Sequence, residues 1–228
     1  MPDVSAAEPP GVDAPSISAL VASPPEARGP FLPVREYLQA FREDYARPEV
    51  TAFDKLECGQ HFQEPGFSSW EAFNRGAWRE SVDLIKEVQP AIKRQFEDAE
   101  SRGLVLRRAR YIELPPSDYL VWEMAVLRER VSRGEHIRVV AGQGQPGFQA
   151  PPPRWFSELV ILGSIRLYEL RYGPDGVLAG AYQYDDAQLI EACRTDFEQL
   201  YDTGEDFSSF HDRITGPLLH ARCTEASA

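Results

Sequence analysis

The sequence predicts an α/β (α+β) fold: a single mixed β-sheet covered by helices, preceded by a disordered Pro/Ala-rich leader. Three observations carry this. Over residues 104–140 the apolar period switches from that of a strand to that of a helix and back, a unit whose natural topology is a parallel crossover. Three β segments follow between residues 156 and 184, the last two joined by Gly173-Pro174-Asp175-Gly176, a hairpin signal. Residues 1–33 hold 8 of the 19 prolines and six alanines, too little apolar surface to repay the entropy of ordering. The expected organisation is a disordered leader (1–33), one domain (34–214) and a frayed tail (215–228).

The elements follow in order. Val34, Leu38, Phe41 and Tyr45 recur at helical spacing over residues 34–45, and Pro48 lies just beyond. Val50-Thr51-Ala52-Phe53 is β-branched and aromatic, a short strand. Residues 58–69, with two glycines and a proline, read as loop. Residues 69–102 carry a drifting apolar stripe from Trp70 to Phe96, with a seam expected at Pro90, which lacks a backbone donor. Gly103 closes the helix. Residues 104–114 alternate apolar side chains with Arg107, Arg108 and Arg110, a strand with at least one wet face. Pro115-Pro116 breaks it, and Ser117 caps a helix that ends near Gly134. A strand over 136–140 completes the crossover. Residues 142–154 hold four prolines and three glycines and read as loop. After the hairpin strands, Asp185 starts a helix over 187–201, and a short helix over 207–214 follows.

Composition excludes several classes. Apolar residues make up 43% and charged residues 26%, ordinary for a globular protein, and no run approaches the length of a membrane span. The start lacks the basic flank and apolar centre of a signal peptide. Three cysteines spread far apart are not a disulfide scaffold and fit a reducing, cytoplasmic setting. The net charge of −12 opposes a bulk electrostatic grip on nucleic acid or anionic lipid. Cys58 and His61 offer two metal-ligand types, but no second pair follows, so no metal site is expected. No nucleotide-binding or nucleophile-elbow motif occurs, and the glycines at 142–147 precede no helix. No cofactor is expected.

The local charge is more telling. Residues 101–140 carry a net of +3, leaving −15 on the remainder. Arg108 and Arg110 are two apart and share one face of their strand, with Arg107 on the other. Guanidinium forks match phosphate or carboxylate. The turn Ser117-Asp118-Tyr119 opens the next helix beside them, where free backbone donors favour an anion. Arg108, Arg110, Ser117, Asp118 and Trp122 are therefore the candidate substrate- or anion-binding residues. Tyr111, Tyr119 and Trp122 offer rings for stacking. Tyr119 and Glu123 are four apart on one helix face and are the candidate catalytic pair: Glu123 takes a proton from an amine that Tyr119 orients. The plainer alternative stays open, in which the arginines pair with Glu113, Glu123 and Glu129 and the helix is merely capped.

The stretch from the Arg107–Arg110 strand through Ser117-Asp118-Tyr119, Glu123 and the Gly134-Glu135 turn resembles the signature of an actinobacterial family of uncharacterised small proteins. The resemblance extends upstream to Thr51-Ala52-Phe53 with Leu56-Glu57. Downstream it reaches the helix with Cys193 and Phe197, so it covers about residues 49–214. Gly163-Ser164 stands where that family often has acidic residues, and the leader (1–48) is longer. The resemblance implies gene neighbours that are helix-turn-helix regulators. It also implies, for some members, a place in peptide antibiotic biosynthesis, where a related protein takes an aminoacyl group from charged tRNA. The C-terminal half is also similar to a phospholipase-D-like half-domain without its catalytic motif, since His136-Ile137-Arg138 and His211-Asp212-Arg213 have arginine in place of lysine.

The expectation that uses the most specific segment is an aminoacyl (acyl) transferase acting on a small amine or peptide, with tRNA or a small phosphate-bearing ligand on the arginines. The alternatives are a non-catalytic partner of a helix-turn-helix DNA-binding protein and a ligand-sensing module.

Overall fold

The computed structural model describes residues 16–142 and 157–225. Its centre is one mixed eight-stranded sheet in the order β1-β7-β6-β5-β2-β3-β4-β8. The strands are β1 (Phe31–Pro33), β2 (Ala52–Glu57), β3 (Val105–Glu113), β4 (His136–Gly142), β5 (Glu158–Leu162), β6 (Arg166–Tyr172), β7 (Leu178–Tyr184) and β8 (Glu205–Asp206). β2, β3 and β4 are parallel, and all other pairings are antiparallel. The expected crossover is present: α5 (Asp118–Val131) joins β3 to β4.

Helices cover both faces. On one face lie α2 (Val34–Tyr45), α3 (Ser68–Asn74), α4 (Trp78–Ser101) and α5, with α7 (Phe207–Phe210) and α8 (Gly216–Glu225) at the end. Two apolar clusters sit beneath them, one around Trp122, Leu120 and Phe210 and one around Tyr37, Phe96 and Tyr168. On the other face α6 (Ala187–Thr203) and the short α1 (Ile17–Ala22) close over Leu56, Ala109, Leu159 and Ile161. Each inner helix face follows from spacing: Ile190, Cys193 and Phe197 of α6 are fully buried at three- and four-residue steps.

Several expectations need correction. Residues 1–15 of the leader lie outside the described residues, but order begins well before residue 34. Ser16 caps α1, Ile17 and Leu20 are buried, and β1 pairs with β7. The leader succeeds because it docks on surface the domain already offers; a Cβ at Gly180 would stand 2.1 Å from the Leu32 carbonyl oxygen, so the glycine admits β1. The helix expected over 69–102 breaks at Gly76 (φ 81°), between α3 and α4, and runs through Pro90. Pro90 is exposed, so its ring meets water and its missing donor costs one hydrogen bond, not the helix. β3 has no wet face along its middle: residues 109–112 are all fully buried, because the strand is central and covered on both sides. Nor is the tail after residue 215 frayed through residue 225. A π-helical turn (His211–Thr215) leads into α8, and Leu219 and Cys223 pack against the core on the α5 side. The glycine-rich loop from residue 143 and the expected strand start at Phe156 lie outside the described residues.

Candidate functional site

The parallel pairing of β2 with β3 puts Lys55 beside Arg108 and Glu57 beside Arg110. Side chains two apart share a face, so four charged groups enter the layer under α5. The helix supplies a fifth: Tyr119 and Glu123 sit one turn apart and both are buried. Glu135, just before β4, and Glu158, at the start of β5, complete the set and are also buried. Glu57 ends β2 with Glu158 alongside, Arg108 and Arg110 lie along the middle of β3, and Glu135 precedes the amino end of β4, so the network runs across the middle of the sheet and not along its carboxyl edge.

The contacts form a chain. The Arg108 Nε donates to Glu135 Oε1 at 2.8 Å and its Nη1 to Glu57. Glu57 also accepts from Lys55 at 2.5 Å, and Glu135 from Arg130. Arg110, fully buried, places Nε 2.8 Å and Nη2 2.7 Å from the same oxygen of Glu123. Its Nη1 donates to the carbonyls of Glu57 and Tyr111. The Tyr119 hydroxyl lies 3.4 Å from Glu123 and 3.3 Å from Glu64.

Each carboxyl is set by a different balance. Burial would raise Glu57, but Arg108, Lys55 and Arg110 hold it well below the usual carboxylate range. The same balance, with Arg108 and Arg130, lowers Glu135. Burial raises Glu123, and Arg110 offsets this only in part. Burial and the nearby Glu57 push Glu158 up to about 7. Its Oε1 accepts the backbone N–H groups of Cys58 and Gly59, both at 2.5 Å, while the buried Oε2 has no hydrogen-bond partner among the described residues. Burial and the neighbouring carboxylates Glu123 and Glu64 keep the Tyr119 phenol protonated far above its ordinary range, so it acts as a donor.

Of the candidate residues, Arg108, Arg110, Tyr119 and Glu123 converge, but not as an open anion pocket. Three carboxylates, Glu57, Glu123 and Glu135, already pair with the two guanidinium groups. Of the alternative partners, only Glu123 pairs as expected. Glu113 is exposed, with its backbone N–H bound to Gln60, and Glu129 accepts from Gln89. Ser117 caps α5 through Leu120 N and donates to the Gln60 carbonyl at 2.8 Å. Asp118 stands apart from the arginine strand: it is exposed and pairs with Arg222 of α8 at 2.8 Å. Trp122 is also apart, buried against Phe73 with its Nε1 on Ser69 Oγ at 3.0 Å, because its position turns it from Glu123 toward α3. Arg107 faces the opposite side, as its strand position requires, and clamps Asp54 at 2.6 and 2.9 Å.

Sequence reasoning did not place Lys55, Glu135 and Glu158 in this site. One signal was present: Lys55 and Glu57 repeat the two-residue charge spacing of Arg108 and Arg110. Two strands with that spacing can lie side by side with charges in register. Among the described residues, no group of three His, Cys, Asp or Glu side chains is arranged to hold a metal ion, and no helix is long and apolar enough to cross a membrane.

The fold and site define a mixed-sheet α+β protein with an internal arginine–glutamate network. The chain belongs to the family described as Domain of unknown function (DUF6879), whose model matches residues 39–212. That span runs from α2 to the π-helical turn and contains every member of the network. No curated protein matches the chain.

Proposed function

We propose that this protein is a non-catalytic regulatory partner that binds a basic surface of a helix-turn-helix DNA-binding protein through the outer face of α6. One observation carries the reading. Residues 185–206 hold eight acidic side chains and one arginine, so this segment supplies −7 of the net −12. Its apolar side is buried, while Asp185, Asp186, Glu191, Glu198, Asp202 and Asp206 are exposed. Clustered carboxylates on one helix give a partner both steering and register. The choice of a DNA-binding partner rests on the family neighbourhood implied by the sequence signature. The three cysteines, spread far apart in the chain, suit a cytoplasmic setting for this protein.

The test is binding of the purified chain to helix-turn-helix regulators of the kind that the family resemblance implies, measured over a salt series. Binding that weakens with salt and is lost when Glu191, Glu198 and Asp202 are changed to lysine supports the reading. No binding at low salt, or binding indifferent to the three reversals, ends it.

A second reading, the aminoacyl transferase, draws on Glu158. A carboxyl pushed up to about 7, with one oxygen that accepts no hydrogen bond among the described residues, has the property of a general base, and Glu123 and Tyr119 belong to the same network. Against it stands the pairing of Arg108 and Arg110, which leaves neither guanidinium open to a phosphate. Incubation with charged tRNAs and small amines decides: no product, or product undiminished by Glu123→Gln, removes this reading.

A further inference from the structure

Away from the charged network, α4, α5, the π-helical turn and α8 enclose a cleft of about 150 Å³. Val82, Ile85, Ala125 and Leu219 form its apolar wall, and Arg128, Lys86, His211, Gln89 and Glu129 contribute the polar lining. The charges there are unevenly committed. Glu129 accepts from Gln89 at 2.8 Å, and Lys86 donates to Asp83 at 2.7 Å. The Arg128 guanidinium, on the surface of α5, has no hydrogen bond or ion pair among the described residues, in contrast to those of Arg108 and Arg110.

His211 is the unusual member. It is buried, its Nδ1 lies 2.9 Å from Thr215 Oγ1, and its ring stacks parallel on Phe207 at 5.8 Å. The π-helical turn makes this arrangement, and such turns recur at functional sites. With Nδ1 committed to Thr215, Nε2 is the remaining ring nitrogen, and no described residue bonds to it. The charged groups around His211 are Arg128 and Glu129 from α5, Lys86 from α4 and Asp212 from its own turn; α8 contributes only Leu219 to the lining. Burial and the Arg128 charge hold His211 below the ordinary histidine range, with Asp212 opposing them. A small anion between Arg128 and His211 would relieve that repulsion.

We propose that this cleft binds a small organic carboxylate with an apolar body, its carboxylate on Arg128 and His211 and its body against Val82, Ile85, Ala125 and Leu219. The volume sets the size: a cavity of about 150 Å³ accommodates a ring the size of benzene. The guanidinium fork suits a carboxylate in two-point contact. The site lies on the face of the sheet opposite α6, so it is independent of the partner surface proposed above.

The test is a titration of the full chain with benzoate and isovalerate, each against its neutral amide, followed by NMR of the His211 imidazole, assigned with His211→Gln. The expected result is saturable binding of at least one carboxylate with a rise in the His211 pKa, no comparable binding of the amides, and affinity reduced about tenfold or more in Arg128→Ala. Arg128 is exposed, so that variant is expected to fold; unchanged backbone amide shifts away from the cleft verify it. Absence of saturable binding by either carboxylate overturns the proposal. So does equal binding of the amides, or full affinity in a folded Arg128→Ala variant.

Discussion

Replacing Arg110 by methionine leaves Glu123 without its cation and removes one of the three cations that hold Glu57 ionised. A buried charge stripped of its partner typically costs about 3–5 kcal/mol. Arg110→Met is expected to lower the urea midpoint accordingly, and Glu123→Gln introduced with it should recover part of the loss. Additive losses in the double variant would show that the two side chains are not coupled. Glu158 gives a pH signature of opposite sign to Glu57. Its folded carboxyl sits at about 7 against an ordinary 4.5, so the folded protein keeps a proton that the unfolded chain has released. The stability this gives is complete below the ordinary value and lost as pH rises through 7. Glu57 and Glu135, both lowered, contribute above their ordinary range and fail as the solution is acidified. Glu158→Gln keeps an acceptor for Cys58 and Gly59 while removing the charge. It should stabilise the protein at pH 8 by on the order of 3 kcal/mol, and by much less at pH 5. Unfolding curves at the two pH values measure this, and equal effects at both would refute the assignment.

Among the elements, α4 makes the sharpest prediction. Pro90 sits exposed inside a 24-residue helix, where proline removes a hydrogen bond and crowds the preceding turn. Pro90→Ala should raise stability by about 1–3 kcal/mol, less than the full helical penalty because proline also restricts the unfolded chain. A lower thermal midpoint in the variant would mean that Pro90 shapes packing which alanine cannot reproduce. The crossover of β3, α5 and β4 was legible because its apolar period changes twice within forty residues and Ser117 marks the helix start. The break at Gly76 was harder to read, because the stripe from Trp70 to Trp78 continues across it. The docking of residues 16–33 was hidden because composition reports what a segment can bury by itself, whereas Ile17 and Leu20 are buried by α6 and the sheet.

The whole molecule carries its surplus charge unevenly, and that has a measurable cost. Exposed carboxylates along α6 repel one another through water. The screening length falls from about 10 Å at 0.1 M salt to about 3 Å at 1 M. The thermal midpoint should therefore rise with sodium chloride over that range, and the rise should shrink when Glu191, Glu198 and Asp202 are neutralised to glutamine. A midpoint that falls with salt would show that surface ion pairs outweigh this repulsion. At this scale the sequence spoke about excess and not about place. The positive island over residues 101–140 was visible in the charge count, but the pairing of its Arg108 with Glu57, from outside the segment, depends on strands brought together by the sheet.

The two ends of the sheet bear on how any second chain can approach. β1 is three residues long and finishes in Pro33; β8 is two residues long and both are acidic. Short, proline-bearing or charged margins discourage strand addition, so neither rim is a template for a ninth strand. Runaway filament growth through the sheet is thereby disfavoured, and a peptide that would lengthen a neighbour's ladder finds only two or three residues to pair with at either described margin.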